Sequence, residues 1–96
     1  MKQVQLKEHH LQIVQGILKK WNIRAHVFGS RSKGTAKDLS DLDLCLKDPC
    51  DKSTLRKLAD DFEESNLPFR VDIVVWDQLD SHFQQHIQKD LTLLSL

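Results

Sequence analysis

Three groups of side chains in this sequence have types and spacings suited to chemistry on phosphates. They are Gly29-Ser30, then Asp41-Leu42-Asp43 after a gap of ten residues, and Asp72 inside a later apolar run. Hard Mg²⁺ ions take oxygen ligands, commonly one or two carboxylates together with the phosphates of a substrate. Two such ions polarise the attacking and leaving oxygens of an in-line displacement. Glycine lets the backbone approach a phosphate closely, and a helix start offers amide donors and a favourable dipole. The Ser30 hydroxyl adds a donor, and Arg31 and Lys33 stand near enough in sequence to neutralise triphosphate charge. The chemistry implied is nucleotidyl transfer. A hydroxyl oxygen attacks the α-phosphorus of a nucleoside triphosphate, pyrophosphate leaves, and Asp72 is placed to accept the proton of the attacking hydroxyl.

Those residues need strands and helices to hold them. Leu11, Val14, Ile17, Leu18 and Trp21 recur at three- and four-residue spacing, which predicts an amphipathic helix over about residues 4–21, ending at Asn22. Arg24–Phe28 reads as a short strand running into the glycine turn. Ser30 reads as the N-cap of a short helix, Arg31 to Ala36, interrupted by Gly34. The run Asp41–Leu46 alternates strictly, so Leu42, Leu44 and Leu46 share one face, and Asp41, Asp43 and Cys45 the other. Strand rise sets Asp41 and Asp43 about 6–7 Å apart along the chain. Two close carboxylates repel when both ionise, and a divalent cation between them removes that penalty.

Asp48-Pro49 closes that strand, because proline cannot continue a central ladder. Asp51 or Ser53 then caps a helix carrying Leu55, Leu58, Ala59 and Phe62 that ends near Asn66-Leu67-Pro68. Phe69–Trp76 forms a third strand, apolar enough to be central, in which a lone Asp72 is costly to bury unless paired or metal-bound. If it neighbours the Asp41 strand, three carboxylates converge. Asp77 caps a last helix with Leu79, Phe83, His86 and Ile87, and the apolar tail Leu91–Leu96 suits an edge strand or a partner contact. Alternating helices and strands indicate an α/β (α+β) fold, a small mixed β-sheet with flanking helices.

Composition narrows the function. Length suits one domain spanning residues 1–96. Fourteen basic and fourteen acidic side chains give a formal net charge of zero, so no broad electrostatic footprint for nucleic acid is expected. Cys45 and Cys50 form no zinc-type or CxxC spacing. Met1–Gln5 lacks the apolar run of a signal peptide, and no stretch approaches the roughly 20 apolar residues of a membrane span. A cytoplasmic location without membrane attachment is expected.

The segment GSRSKGTAKDLSDLDLCL, with Arg31, Gly34 and Ser40-Asp41-Leu42-Asp43, resembles the nucleotidyltransferase superfamily that includes DNA polymerase β. It is most similar to the small bacterial minimal nucleotidyltransferase branch, and the likeness extends over nearly the whole chain. The resemblance implies a polymerase-β-like core, Gly29 and Ser30 as phosphate binders, and Asp41, Asp43 and Asp72 as the metal-binding and catalytic carboxylates. It also implies Mg²⁺ (two ions), ATP as the preferred substrate, and a separately encoded helical partner of the HEPN type. In several such pairs the partner is a ribonuclease toxin restrained by adenylyl transfer to a tyrosine, which would make this chain the antitoxin. Two alternatives stay open at this stage: a non-catalytic antitoxin that acts by docking, and the nucleotidyl-donating subunit of a small-molecule, antibiotic-type transferase. Homo- and hetero-oligomers are both compatible with the sequence.

Other residues read more plainly. His82 and His86 stand i, i+4 on the last helix without a third ligand, and His9-His10 reads as surface. His26 reads as a packed strand histidine, with a supporting hydrogen bond to the site as the sharper alternative. Cys45 reads as a small buried filler beside the carboxylates, and Trp21 and Trp76 as core or rim side chains.

Overall fold

Leu42 and Leu44 are fully buried and Leu46 very nearly so, as their alternation requires, and the sheet is built around them. The computed structural model of the chain describes residues 4–94. Its elements follow the order α1 (Glu8–Lys20), β1 (His26–Phe28), α2 (Ser30–Lys33), β2 (Leu42–Leu46), α3 (Lys52–Glu63), β3 (Val71–Val75), a single 3₁₀ turn (Trp76–Gln78), α4 (Ser81–Gln88) and β4 (Thr92–Leu93). The four strands form one mixed sheet in the order β3-β2-β1-β4. β1 runs antiparallel to both β2 and β4, whereas β2 and β3 are parallel, joined by the crossover helix α3. This is the small mixed sheet with flanking helices that the alternation of elements predicts.

Each face of the sheet has its own cover. Val14 and Leu18 of α1 and Leu58 and Phe62 of α3 pack with Val27, Leu42, Leu44 and Leu46 in the main core. On the other face Phe28, Cys45 and Ile87 of α4 form a smaller cluster with Val74, Trp76, Leu79 and Leu91. The indole Nε1–H of Trp21 donates to Oδ2 of Asp61 at 2.7 Å, and Lys20 reaches the same oxygen at 3.1 Å, which fastens α1 to α3. Trp21 is therefore a rim residue.

Several boundaries differ from the pattern-based reading, each for a tertiary reason. The first helix starts at Glu8 because Val4–Lys7 runs extended along α2, with the Gln5 N–H donating to the Arg31 carbonyl at 2.8 Å. The side chain of Gln5 also bonds both backbone groups of Ala36 (2.8 and 3.0 Å). Ser30 is the first residue of α2 and caps nothing; Gly29 holds the capping position, and α2 closes at Gly34 in the left-handed conformation. β3 is an edge of the described sheet, although its composition suggests a central strand. Asp80, not Asp77, caps α4, accepting from the Phe83 N–H at 2.8 Å, because Trp76–Gln78 first makes a 3₁₀ turn that contains Asp77. Asp51 caps α3 as one of the two candidates, accepting from Thr54 N–H at 2.7 Å. The tail supplies the edge strand β4; Ser95 and Leu96, like Met1–Gln3, lie outside the described residues. Among the described residues no helix is long and apolar enough to cross a membrane.

Candidate active site

The candidate residues meet at one end of the sheet, where β1 finishes and β2 and β3 begin. Phe28 of β1 is in register with Asp43 of β2, and Asp43 with Asp72 of β3. Neighbouring strands lie about 4.8 Å apart, so the two aspartates stand side by side on one rung of the ladder. Asp41 stands exposed just before β2, Asp43 is half-buried, and the side chain of Asp72 is 41% exposed. Burial pushes the Asp43 carboxyl above the ordinary aspartate range, and the neighbouring charges of Asp72 and Asp41 push it in the same direction.

The glycine turn closes directly over this carboxylate. Gly29 has φ +75° and ψ −152°, a conformation essentially confined to glycine. A Cβ built there would lie 2.6 Å from Oδ2 of Asp43, so the missing side chain is what lets strand end and carboxylate approach. The Gly29 carbonyl accepts from both Ser32 and Lys33 N–H at 3.1 Å, which starts α2 immediately after the turn. Ser30 is half-buried at the head of that helix.

The two basic candidates have different placements. Arg31 is only 4% exposed, and its guanidinium donates to the carbonyls of Gln5 (2.8 Å), Asp38 (3.1 Å) and Ser40 (2.7 and 3.1 Å). The same guanidinium lies 4.2 Å from the centre of the Phe69 ring. Lys33 is exposed and 3.7 Å from the Asp90 carboxylate.

The carboxylates are brought together by the backbone and not yet by their side chains. Among the described residues no three acidic, histidine or cysteine groups converge closely enough to hold a metal ion as they stand. Arg70 engages Asp72 at 3.0 Å, and Asp41 lies just outside the strand. The donor set nevertheless fits a hard divalent cation. It is all oxygen, and Asp43, raised first by burial and then by the charges of Asp72 and Asp41, is a carboxylate whose ionised form a cation would favour.

Three supporting residues escaped the motif reading. Buried Ser32 donates its hydroxyl to the Asp90 carbonyl and shares a 3.0 Å hydrogen bond with the Thr92 hydroxyl, which ties α2 to β4. Neither Ser32 nor Gln5 carries a local signal, because their partners lie far away in sequence. Arg70 did carry one: period-two alternation puts it on the face of Asp72. His26 sits two register positions from the Asp43 rung, paired with Cys45 and with Leu93. Its buried Nδ1 has no hydrogen-bond partner, so it is a packed strand histidine, and burial and the nearby Lys47 and Arg24 lower its pKa. Cys45 is fully buried, as a filler would be.

The family described as "Polymerase beta, Nucleotidyltransferase" matches residues 12–95, a span that contains every candidate residue. A Haemophilus influenzae protein named "Probable protein adenylyltransferase MntA" is 38% identical over 91 residues, which cover 91% of this chain and 80% of that protein. A match of that span, together with a relative of that similarity, means that the chain belongs to the polymerase β nucleotidyltransferase family.

Proposed function

We propose that the chain is an adenylyltransferase that moves AMP from ATP to a hydroxyl on a protein. The observation that carries this reading is the stack of Gly29, Asp43 and Asp72 on three successive chain segments, so tight that a Cβ at position 29 would collide with the Asp43 carboxylate. That contact sets the Gly29 turn against an acidic pair, which supports reading it as a turn that a phosphate approaches. The choice of adenylyl group and protein acceptor is supported by the name of the Haemophilus influenzae relative.

In this reading the Gly29 turn and the Ser30 hydroxyl bind the triphosphate, and Asp41 and Asp43 hold Mg²⁺ with Asp72 as the third carboxylate. Mg²⁺, when bound, supplies charge neutralisation at the phosphates. The acceptor oxygen attacks the α-phosphorus, the bond to pyrophosphate breaks, and the acceptor proton passes to Asp72. Asp72 suits that task because it lies on the open edge strand and remains part-exposed. We further assign the acceptor to a helical, HEPN-type protein encoded nearby, with this chain as the antitoxin of the pair. The resemblance of the segment GSRSKGTAKDLSDLDLCL to the minimal nucleotidyltransferase branch supports it.

Intact-mass spectrometry of the chain co-purified with its genomic neighbour, incubated with Mg²⁺ and ATP, tests the whole reading. The expected result is one or more added AMP units on the neighbour, absent with Asp41→Ala. A tight complex with no added mass would transfer the weight to neutralisation by docking.

A further inference from the structure

We infer that Arg31 is a positioning residue that sets the Asp41 and Asp72 carboxylates, rather than a ligand of the triphosphate. The inference rests on the nucleotidyl-transfer reading above and adds a role for a residue two positions from the glycine turn.

The guanidinium is the meeting point of four chain segments. It receives the carbonyl of Gln5 from the extended N-terminal stretch, and those of Asp38 and Ser40 from the loop between α2 and β2. It lies over the ring of Phe69, the residue just before Arg70 and the start of β3. Ser40 immediately precedes Asp41, and it is doubly held by Arg31 Nε and Nη2. The loop has its own turn, with Ser40 N–H donating to the Lys37 carbonyl (3.0 Å) and Lys37 N–H to the Ser40 hydroxyl (2.8 Å). Arg31 fixes that turn as a unit against α2. Where β2 meets β3, Leu42 N–H donates to the Arg70 carbonyl at 2.8 Å, so the clamp reaches the entries of both strands that carry carboxylates.

A phosphate ligand needs free donors facing the substrate. Here the fork is turned inward, 4% exposed, and its bonds go to backbone carbonyls. The guanidinium makes four bonds to three carbonyls from fixed directions while it contacts the ring; a lysine ammonium has three donors on a flexible stem and lacks that rigid fork. Gln5 completes the clamp from outside, bonding both backbone groups of Ala36 at the start of the same loop.

The test compares the full wild-type chain with Arg31→Lys and Gln5→Ala. Three quantities are read: Mn²⁺ binding in the presence of ATP by electron paramagnetic resonance, ATP affinity at saturating Mg²⁺, and amide hydrogen exchange over residues 36–41. In Arg31→Lys we expect Mn²⁺ binding to weaken by ~10–100-fold, as for loss of a group that orients a metal ligand. Exchange over 36–41 should quicken while ATP affinity at saturating Mg²⁺ stays at the wild-type value. Weakened ATP affinity with unchanged exchange would overturn the inference and make Arg31 a phosphate ligand, and three unchanged readouts would also overturn it. If Arg31→Lys does not fold, Gln5→Ala decides: faster exchange and weaker Mn²⁺ binding support the clamp, and wild-type behaviour refutes it. A wild-type chain that binds neither Mn²⁺ nor ATP would instead sink the nucleotidyl-transfer reading itself, and this inference with it.

Discussion

At residue 29 the backbone requirement and the chemistry coincide, because the φ of +75° excludes a side chain and the Asp43 carboxylate fills the space one would take. Gly29→Ala should therefore lose activity and also destabilise the fold, by about 1–3 kcal/mol for the strained backbone. Gly16 on the exposed face of α1 is the control, since a Cβ there meets nothing within 4 Å. Gly16→Ala should stabilise the protein by about 0.5–1 kcal/mol, the helix-interior difference between the two residues. Urea unfolding of both variants checks the opposite signs.

Asp43 gives a second residue-scale expectation. Its folded pKa is raised, so the ionised carboxylate opposes folding: its favourable contribution is present below the unfolded pKa and is lost as pH rises through the folded one. At neutral pH without metal, Asp43→Asn should thus unfold at a higher temperature than wild type while losing transfer. A lower melting temperature in EDTA would show that burial and the neighbouring charges do not penalise the ionised Asp43 carboxylate.

At the scale of elements, the joints between helices and strands carry separable contributions. Asp80 caps the helix that covers Phe28 and Cys45, and Asp80→Ala should cost about 0.5–2 kcal/mol in a denaturant titration. Asp61 joins α3 to α1 through Trp21 and Lys20, and those two hydrogen bonds hold its pKa below the usual value of 3.8. The sign is opposite to that of Asp43. The joint stabilises above the ordinary aspartate pKa and is lost as pH falls through the lowered one. Melting temperature should drop on acidification through that range, and Asp61→Asn should show a shallower drop, with Trp21 fluorescence as the local reporter.

The same elements show what a sequence conveys. Strict alternation at Leu42–Leu46 was enough to place both faces of β2, because each side chain's direction follows from its neighbour's. The Asp51 cap was legible for the same local reason. The edge position of β3 was not, since strand order depends on which elements meet, and apolar composition looks alike at an edge and a centre. The cap of α4 was misplaced because a 3₁₀ turn intervened between two aspartates of equal capping ability. Arg31 is the sharpest case. Its charge and its place beside a glycine turn pointed to phosphate, and only long-range carbonyls reveal an inward-facing fork.

At the scale of the whole molecule, zero formal net charge limits what the site can attract from a distance. Phosphate polymers are held by many separate cation contacts, each releasing counterions, and the affinity rises with their number. Here one buried arginine is consumed by carbonyls, Lys33 faces Asp90, and Arg70 faces Asp72, so the cations nearest the site already have partners. In the proposed function, recognition of a single ATP would draw on other resources: the Gly29 turn, the head of α2 and the acidic pair with Mg²⁺. The expected outcome is ATP binding that requires Mg²⁺, alongside duplex DNA and RNA affinities no tighter than the non-specific range of about 10⁻⁴–10⁻⁶ M at physiological salt. Fluorescence anisotropy with a labelled duplex, a labelled RNA and a labelled ATP analogue measures all three on one scale. Submicromolar binding of either polymer would show that the surface gathers phosphate contacts these pairings do not reveal, and would make a nucleic-acid 3′-hydroxyl the acceptor to test before a protein.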